Sequence, residues 1–477
     1  AAAMTEEVAG QFSQSVSATS IALFGTGPIS DTAFKALLKT RYAALELRDI
    51  ESPTPGQIQV MAETKRSAFF PQLKRLDSVQ LAKVLASGNF PSVTYISPEV
   101  ADALGKLPEA IRTEQDGTTR SIPSGSLTFP SLEELPPETL RLLLQRRWWD
   151  LSFPALRDYS VETVRLLGRQ TGSSLTLGLI SLPPELAAAF DDMPPNPLRN
   201  DRWVMFPFLS DLSPESARIL VKTLNQGIKG VAPQVRITRT PQLFIGGTAG
   251  SPTSGLSTIS PELAAELAKY EGTLAISGLR ELPAKSAAAL STFPGPYLRL
   301  SGPATHQLSP ETAAALARIP RRLLLEELKR IDSVPLCDKN TRQMGWYWNR
   351  AETVAPESVP ALIQFNGWFN IDGLTVLESP ALARRLSDQT FSGNLHALQR
   401  LAPEAAEVLA TFDKPLRIGL SVLDDVAVAR ALAHSKGKIE LKRLKAATAE
   451  VIAILKDSKA IEVPNLASLY ILSDVKN

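Results

Sequence analysis

The sequence predicts an α/β repeat solenoid of about 18 units of about 23 residues, each a short strand followed by a helix. Three observations carry that prediction. Apolar anchors recur along the chain in the order Leu-x-Leu-x-x-Leu-x-x-Leu, most clearly from Leu274 to Leu282. A helix-entry signal, often Ser-Pro-Glu or Pro-Pro-Glu, follows them, and an alanine- and leucine-rich stretch such as Ala287-Ala288-Ala289-Leu290 completes the unit. First anchors lie 24 residues apart from Ile21 to Leu45 and from Leu127 to Leu151, 23 apart from Leu323 to Trp346, and 22 apart from Ile439 to Ile461.

Each part of the unit has a physical reason. The first two anchors, for example Leu151 and Phe153, are two apart, which is the period of a strand with one face buried. Helix entries read Ser213-Pro214-Glu215, Ser260-Pro261-Glu262 and Ser309-Pro310-Glu311. The serine can cap open amides, proline suits the first helical position where no donor is needed, and glutamate meets the positive end of the helix dipole. Alanines 313–315 favour helix and let neighbouring helices approach closely. Strands separated by a whole helix must pair in parallel, so a curved parallel sheet is expected on one face and helices on the other. One unit cannot bury its apolar face alone, whereas stacked units share a continuous core.

The expected organisation is an N-terminal segment or cap over residues 1–20, a solenoid over 21–460, and a last strand with a C-terminal cap over 461–477. Ala1–Ala3 read as a non-native extension before Met4. Irregular insertions are expected near 105–126, 191–200 and 246–255, where the repeat gives way to polar, proline-rich or glycine-rich runs. Of 477 residues, 44% are hydrophobic and 21% charged, which places the chain with ordered globular proteins. Lys plus Arg number 51 against 49 Asp plus Glu, so global charge does not draw the protein to nucleic acid. The best local basic run is Lys436, Lys438, Lys442, Arg443 and Lys445, which reads as a solvated face. No run of eighteen apolar residues spans a membrane. With no leader visible the cytosol is the expected compartment, and export of a processed form is the alternative.

The anchors and period resemble the leucine-rich repeat family, and Gly27-Pro28-Ile29-Ser30-Asp31-Thr32-Ala33-Phe34 is similar to the bacterial surface-antigen variety of that repeat. The asparagine ladder of the standard repeat is missing. The resemblance implies a protein-interaction scaffold and transfers no catalytic residue.

Chemistry-bearing patterns favour a non-enzymatic scaffold, the alternatives being a structural self-assembling or cell-envelope repeat protein and, after it, an enzyme with a site in an inserted loop. His306, His396 and His434 form no metal-ligand pair, Cys337 reads as a small buried hydrophobe, and no Gly-x-Ser-x-Gly elbow occurs. No cofactor is called for. The expected partner is a protein or peptide, or a second copy of the chain. Candidate contact residues follow from strand parity. Arg236, Arg299, Tyr347, Asn370 and Arg417 fall between paired anchors and should face away from the core. Trp148 has the outward parity while Trp149 has the inward one. Trp203 and Trp368 precede the first anchors of their strands. Exposed aromatics and arginines of this kind are enriched at interfaces.

Overall fold

The computed structural model describes residues 4–472 apart from 16–19, 25–27, 40–43, 86–87, 114–118, 123–124, 157–158, 169–173, 193–202, 230–240, 248–254, 321, 326, 341–345, 348–349, 365–368, 388–393 and 464–468. The chain divides into two compact units, Ala1–Leu256 with Tyr270–Ala275 and Ser257–Lys269 with Ile276–Asn477. Both are mixed α/β and built from parallel strands alternating with helices.

In unit 1 the strands Gly88–Asn89, Ser126–Thr128, Asp150–Phe153, Ser174–Leu177, Trp203–Phe206 and Gln242–Ile245 lie side by side in that order, every pair parallel. Their register aligns the anchors: Leu127 with Leu151, Leu151 with Leu175, Leu175 with Val204, and Val204 with Leu243. All five are buried. Earlier in the chain Ser20–Leu23 pairs with Ala44–Leu47. Aromatic rings fill the layer behind the strands. Phe90, Phe129 and Phe153 stack across successive coils at 5.1 and 5.9 Å, nearly parallel.

Unit 2 repeats the plan. Tyr297–Leu300 pairs with Arg322–Leu325, Trp346–Tyr347 with Phe369–Asn370, and Asn394–Leu395, Leu416–Ile418, Ile439–Glu440 and Ile461–Glu462 form one ordered sheet. Successive helices pack on one another, as Pro403–Ala410 does on Val426–Ala433.

The coil is richer than a strand plus a helix. The fourth anchor lies on a second short strand, which pairs in parallel with its counterpart in the next coil. Ser181–Leu182 joins Asp211–Leu212 in this way in unit 1. In unit 2 Arg330–Ile331 joins Thr353–Val354, and Val376–Leu377 joins Arg400–Leu401. Leu182, Leu212, Ile331, Leu377 and Leu401 are the buried members. Two ladders thus satisfy main-chain groups on both sides of the turn that holds the third anchor.

Helix entry follows the expected chemistry. The hydroxyls of Ser97, Ser260 and Ser309 accept the N–H of the residue three positions on, with proline at the first helical position. Ser213 does the same for Ser216 at 3.1 Å. Glu262 and Glu311 are held below the usual glutamate range, first by their own main-chain N–H and then by the serine hydroxyl.

The expected insertions fare differently. Within 105–126, Ala110–Thr113 and Thr119–Ile122 form an antiparallel hairpin that departs from the parallel repeat. Most of 191–200 and 246–255 lies outside the described residues. The helix Pro214–Lys229 runs 16 residues, twice the usual length here, and displaces the strand that follows. Cys337 is buried, as expected of a small hydrophobe.

Candidate functional site

Positions between anchors face away from the core of each unit. Across unit 1 they change character. Ser126 and Thr128, Asp150 and Ser152, and Ser174 and Thr176 are small and polar, and the Ser126 hydroxyl donates to Asp150 Oδ2 at 2.8 Å. The next two strands carry Trp203 and Met205, then Gln242 and Phe244. Register places Met205 opposite Phe244, so Trp203 and Phe244 are diagonal neighbours. Their rings lie 5.9 Å apart and tilted by 47°, each half-buried on the side away from the anchors.

In unit 2 the equivalent positions are more charged. Tyr297 and Arg299 stand beside Arg322 and Leu324, and the Arg322 guanidinium is 5.4 Å from the Tyr297 ring. Farther along, Asn394, Arg417, Glu440 and Glu462 align on adjacent strands. Glu440 Oε2 is 3.3 Å from Arg417 Nε and 2.9 Å from Lys442 Nζ, and Lys438 Nζ is 2.5 Å from Glu462. The Lys442 ammonium leads in holding the Glu440 carboxyl below its ordinary range, and Glu462 raises the Lys438 amine. The basic run near the C-terminus is therefore interleaved with acids, and Arg443 donates to His396 O at 3.1 Å. A second charged node centres on a buried carboxylate. Glu327 accepts the Gly302 N–H at 2.8 Å and lies 3.6 Å from His306 Nε2 and 3.3 Å from Arg350 Nη1.

The residues singled out from the sequence divide accordingly. Trp203 and Arg299 occupy outward strand positions half-buried, and Arg417 is exposed beside Glu440. Tyr347 and Asn370 are register partners on adjacent strands. Trp368 lies outside the described residues. Trp148 requires correction: it is fully buried, its indole Nε1–H donates to Leu143 O at 2.9 Å, and the Arg146 guanidinium sits 4.3 Å over its ring. The strand begins only at Asp150, so strand parity does not reach Trp148, whose indole instead satisfies a carbonyl at the helix end. Trp149, expected in the core, is half-buried. Arg236 also lies outside the described residues. The strand beside Trp203–Phe206 is Gln242–Ile245, and residues 230–240 lie outside those described. On that strand Phe244 takes the outward position. Its signal was present in Leu243 and Ile245, two apart, but the long preceding helix breaks the 23-residue spacing.

Among the described residues no group of three or more His, Cys, Asp or Glu side chains is placed to hold a metal ion, and no helix is long and apolar enough to cross a membrane.

No protein-family model matches the sequence, and no curated protein does. Among solved structures the chain is similar to one described as the crystal structure of the Rad7 and Elc1 complex in yeast. The identity is 14%, with 96% of this chain and 88% of that one covered, and the TM-score is 0.31.

Proposed function

We propose that the protein is a non-enzymatic, leucine-rich-repeat-like scaffold, nearest in its repeat to the bacterial surface-antigen variety, that binds a protein or peptide on the strand faces of its coils. The observation that carries this reading is the Trp203–Phe244 pair with Met205, large apolar side chains gathered on the side of the sheet away from the core. Rigid aromatics held on regular strands suit recognition because little side-chain freedom is lost on binding. The charged ladder from Arg417 to Glu462 is mixed in sign and serves specificity better than it would serve attraction of a polyanion. Tyr297, Arg299, Tyr347, Trp368 and Asn370 belong to the same proposal as further contact positions. The test is an affinity capture with the intact chain beside Trp203→Ala and Phe244→Ala. A partner retained by the intact chain and lost from both variants supports the reading. Equal capture by all three sinks it.

A second reading is favoured by one observation. On the strand Tyr470–Leu472, Ile471 is register partner to the fully buried Ala447 yet is 60% exposed, and Tyr470 is 71% exposed. An open apolar strand edge of this kind supports association of copies. Sedimentation over a hundredfold concentration range, with Ile471→Lys as control, separates self-assembly from binding of a different protein.

A further inference from the structure

In unit 1 the ladder on the sheet side is interrupted between Phe69 and the strand Gly88–Asn89. Phe69 pairs backwards: its N–H donates to Leu45 O at 2.7 Å, and its carbonyl accepts from Leu47 N at 2.9 Å. Gly88–Asn89 pairs forwards with Ser126–Thr128, and Phe90 N–H donates to Thr128 O at 2.8 Å. Main-chain groups of successive residues in a parallel strand point to opposite sides. The carbonyl of Ala68, the N–H of Phe70, and both groups of Asn89 are therefore directed into the interruption. A continued ladder would join Asn89 N–H to Ala68 O and Phe70 N–H to Asn89 O. Neither bond is made, and none of the four groups has another partner among the described residues. The same coils stay joined on their second ladder, where Arg75–Leu76 pairs with Tyr95–Ile96 and Thr94 N–H donates to Lys74 O at 2.9 Å.

The opening is a recess of about 150 Å³. Leu45, Ala68, Phe70, Leu73, Leu85 and Phe90 give it an apolar lining, and the strand edges form its polar rim. At its edge a Cβ built on Gly88 would touch only the tip of the Phe90 ring at 3.9 Å. A void of this size matches one benzene-sized group. Two donors and two acceptors at strand spacing complement a peptide main chain.

We propose that this recess docks an extended peptide, taking one leucine- or phenylalanine-sized side chain while the adjoining amide bonds to the open groups of Ala68, Phe70 and Asn89. The proposal rests on the peptide-binding reading above but uses a separate site, away from Trp203 and Phe244.

Saturation-transfer NMR on the full chain tests it with two probes, N-acetyl-Gly-Phe-Gly-amide and N-acetyl-Gly-Ala-Gly-amide. The phenylalanine probe should bind at least tenfold more tightly. Ala68→Leu, which fills the recess, should weaken it at least tenfold with no fall in Tm. Asn89→Pro, which removes one open donor and leaves the lining intact, should weaken it at least threefold, so the test does not hang on one variant's folding. Trp203→Ala should leave it unchanged. Equal binding of the two probes, or full affinity in both recess variants, overturns the proposal. Benzene bound in the recess while neither tripeptide binds also overturns it, in favour of a small apolar ligand. Loss of binding in Trp203→Ala alone keeps the peptide-binding reading and removes this site from it.

Discussion

Replacing Phe129 by alanine isolates what joins neighbouring coils. The ring is fully buried between Phe90 at 5.1 Å and Phe153 at 5.9 Å, with interplanar angles of 12° and 10°. Removing a buried phenylalanine side chain costs about 3–5 kcal/mol, from lost transfer energy and the cavity left behind. Each aromatic pair accounts for about 0.5–1.5 kcal/mol beyond area burial, so Phe129→Leu, which keeps much of the apolar volume and loses both stacks, should cost about 1–3 kcal/mol. Urea unfolding followed by circular dichroism and by tryptophan fluorescence reads both values. The pairwise share comes from a cycle with Phe153→Leu, where a coupling of about 0.5–1.5 kcal/mol is expected. Hydrogen exchange should locate the loss: amides of Ser126–Thr128 and Asp150–Phe153 lose protection, whereas those of Leu416–Ile418 in the other unit keep it, because a repeat contacts only its neighbours. A cost below about 1 kcal/mol for Phe129→Ala, or zero coupling to Phe153, would refute the view that the stack holds these coils together.

Four more outcomes are expected. Tyr159→Phe should cost about 1 kcal/mol in the same urea assay, because its hydroxyl donates to Phe153 O at 3.2 Å and accepts from Gly178 N at 3.1 Å, while Gly178 N keeps a bond to Phe153 O. Gly178→Ala and Gly419→Ala should each cost about 1–3 kcal/mol, since a Cβ would overlap the carbonyls of Pro154 and His396 in the preceding coil. Ser309→Ala should cost about 1 kcal/mol through the lost cap. Glu262 and Glu311, whose folded values lie below the ordinary 4.5, stabilise the protein above that value and cease to do so as pH falls through their lowered values. Tm followed from pH 7 to pH 3 should therefore fall less steeply in the double variant Ser260→Ala/Ser309→Ala than in the parent.

What the sequence discloses is the part governed by local periodicity. Anchors two apart find the strands Asp150–Phe153 and Arg322–Leu325, and serine before Pro-Glu finds the caps at 213, 260 and 309, because these signals act within one coil. The second ladder escapes that reading. Strands such as Ser181–Leu182 are two residues long and exist only because the next coil supplies their partners. Trp148 misleads because parity holds only inside a strand, and that strand starts at Asp150. The outward aromatic at Phe244 was hidden by a 16-residue helix that lengthens one coil. Trp203 and Arg417 stand at outward strand positions, as strand parity indicates. The interruption beside Asn89 could not be found so, since it is a pairing that fails between two coils with unremarkable sequences.

The buried carboxylate of Glu327 bears on how freely such coils could be exchanged. Its partners come from the coils on either side, since Gly302 and His306 precede it and Arg350 follows it at roughly one-period spacing. Leucine anchors look alike from coil to coil, so a splice at an anchor swaps one leucine for another. A splice between Gly302 and Arg350 would instead strand an acid in the interior without its cation or its amide. Deletion of a whole period there should be far more damaging than the same deletion between Leu401 and Leu441. This stretch is thus a fixed reference point in a chain whose other turns are closer to interchangeable parts.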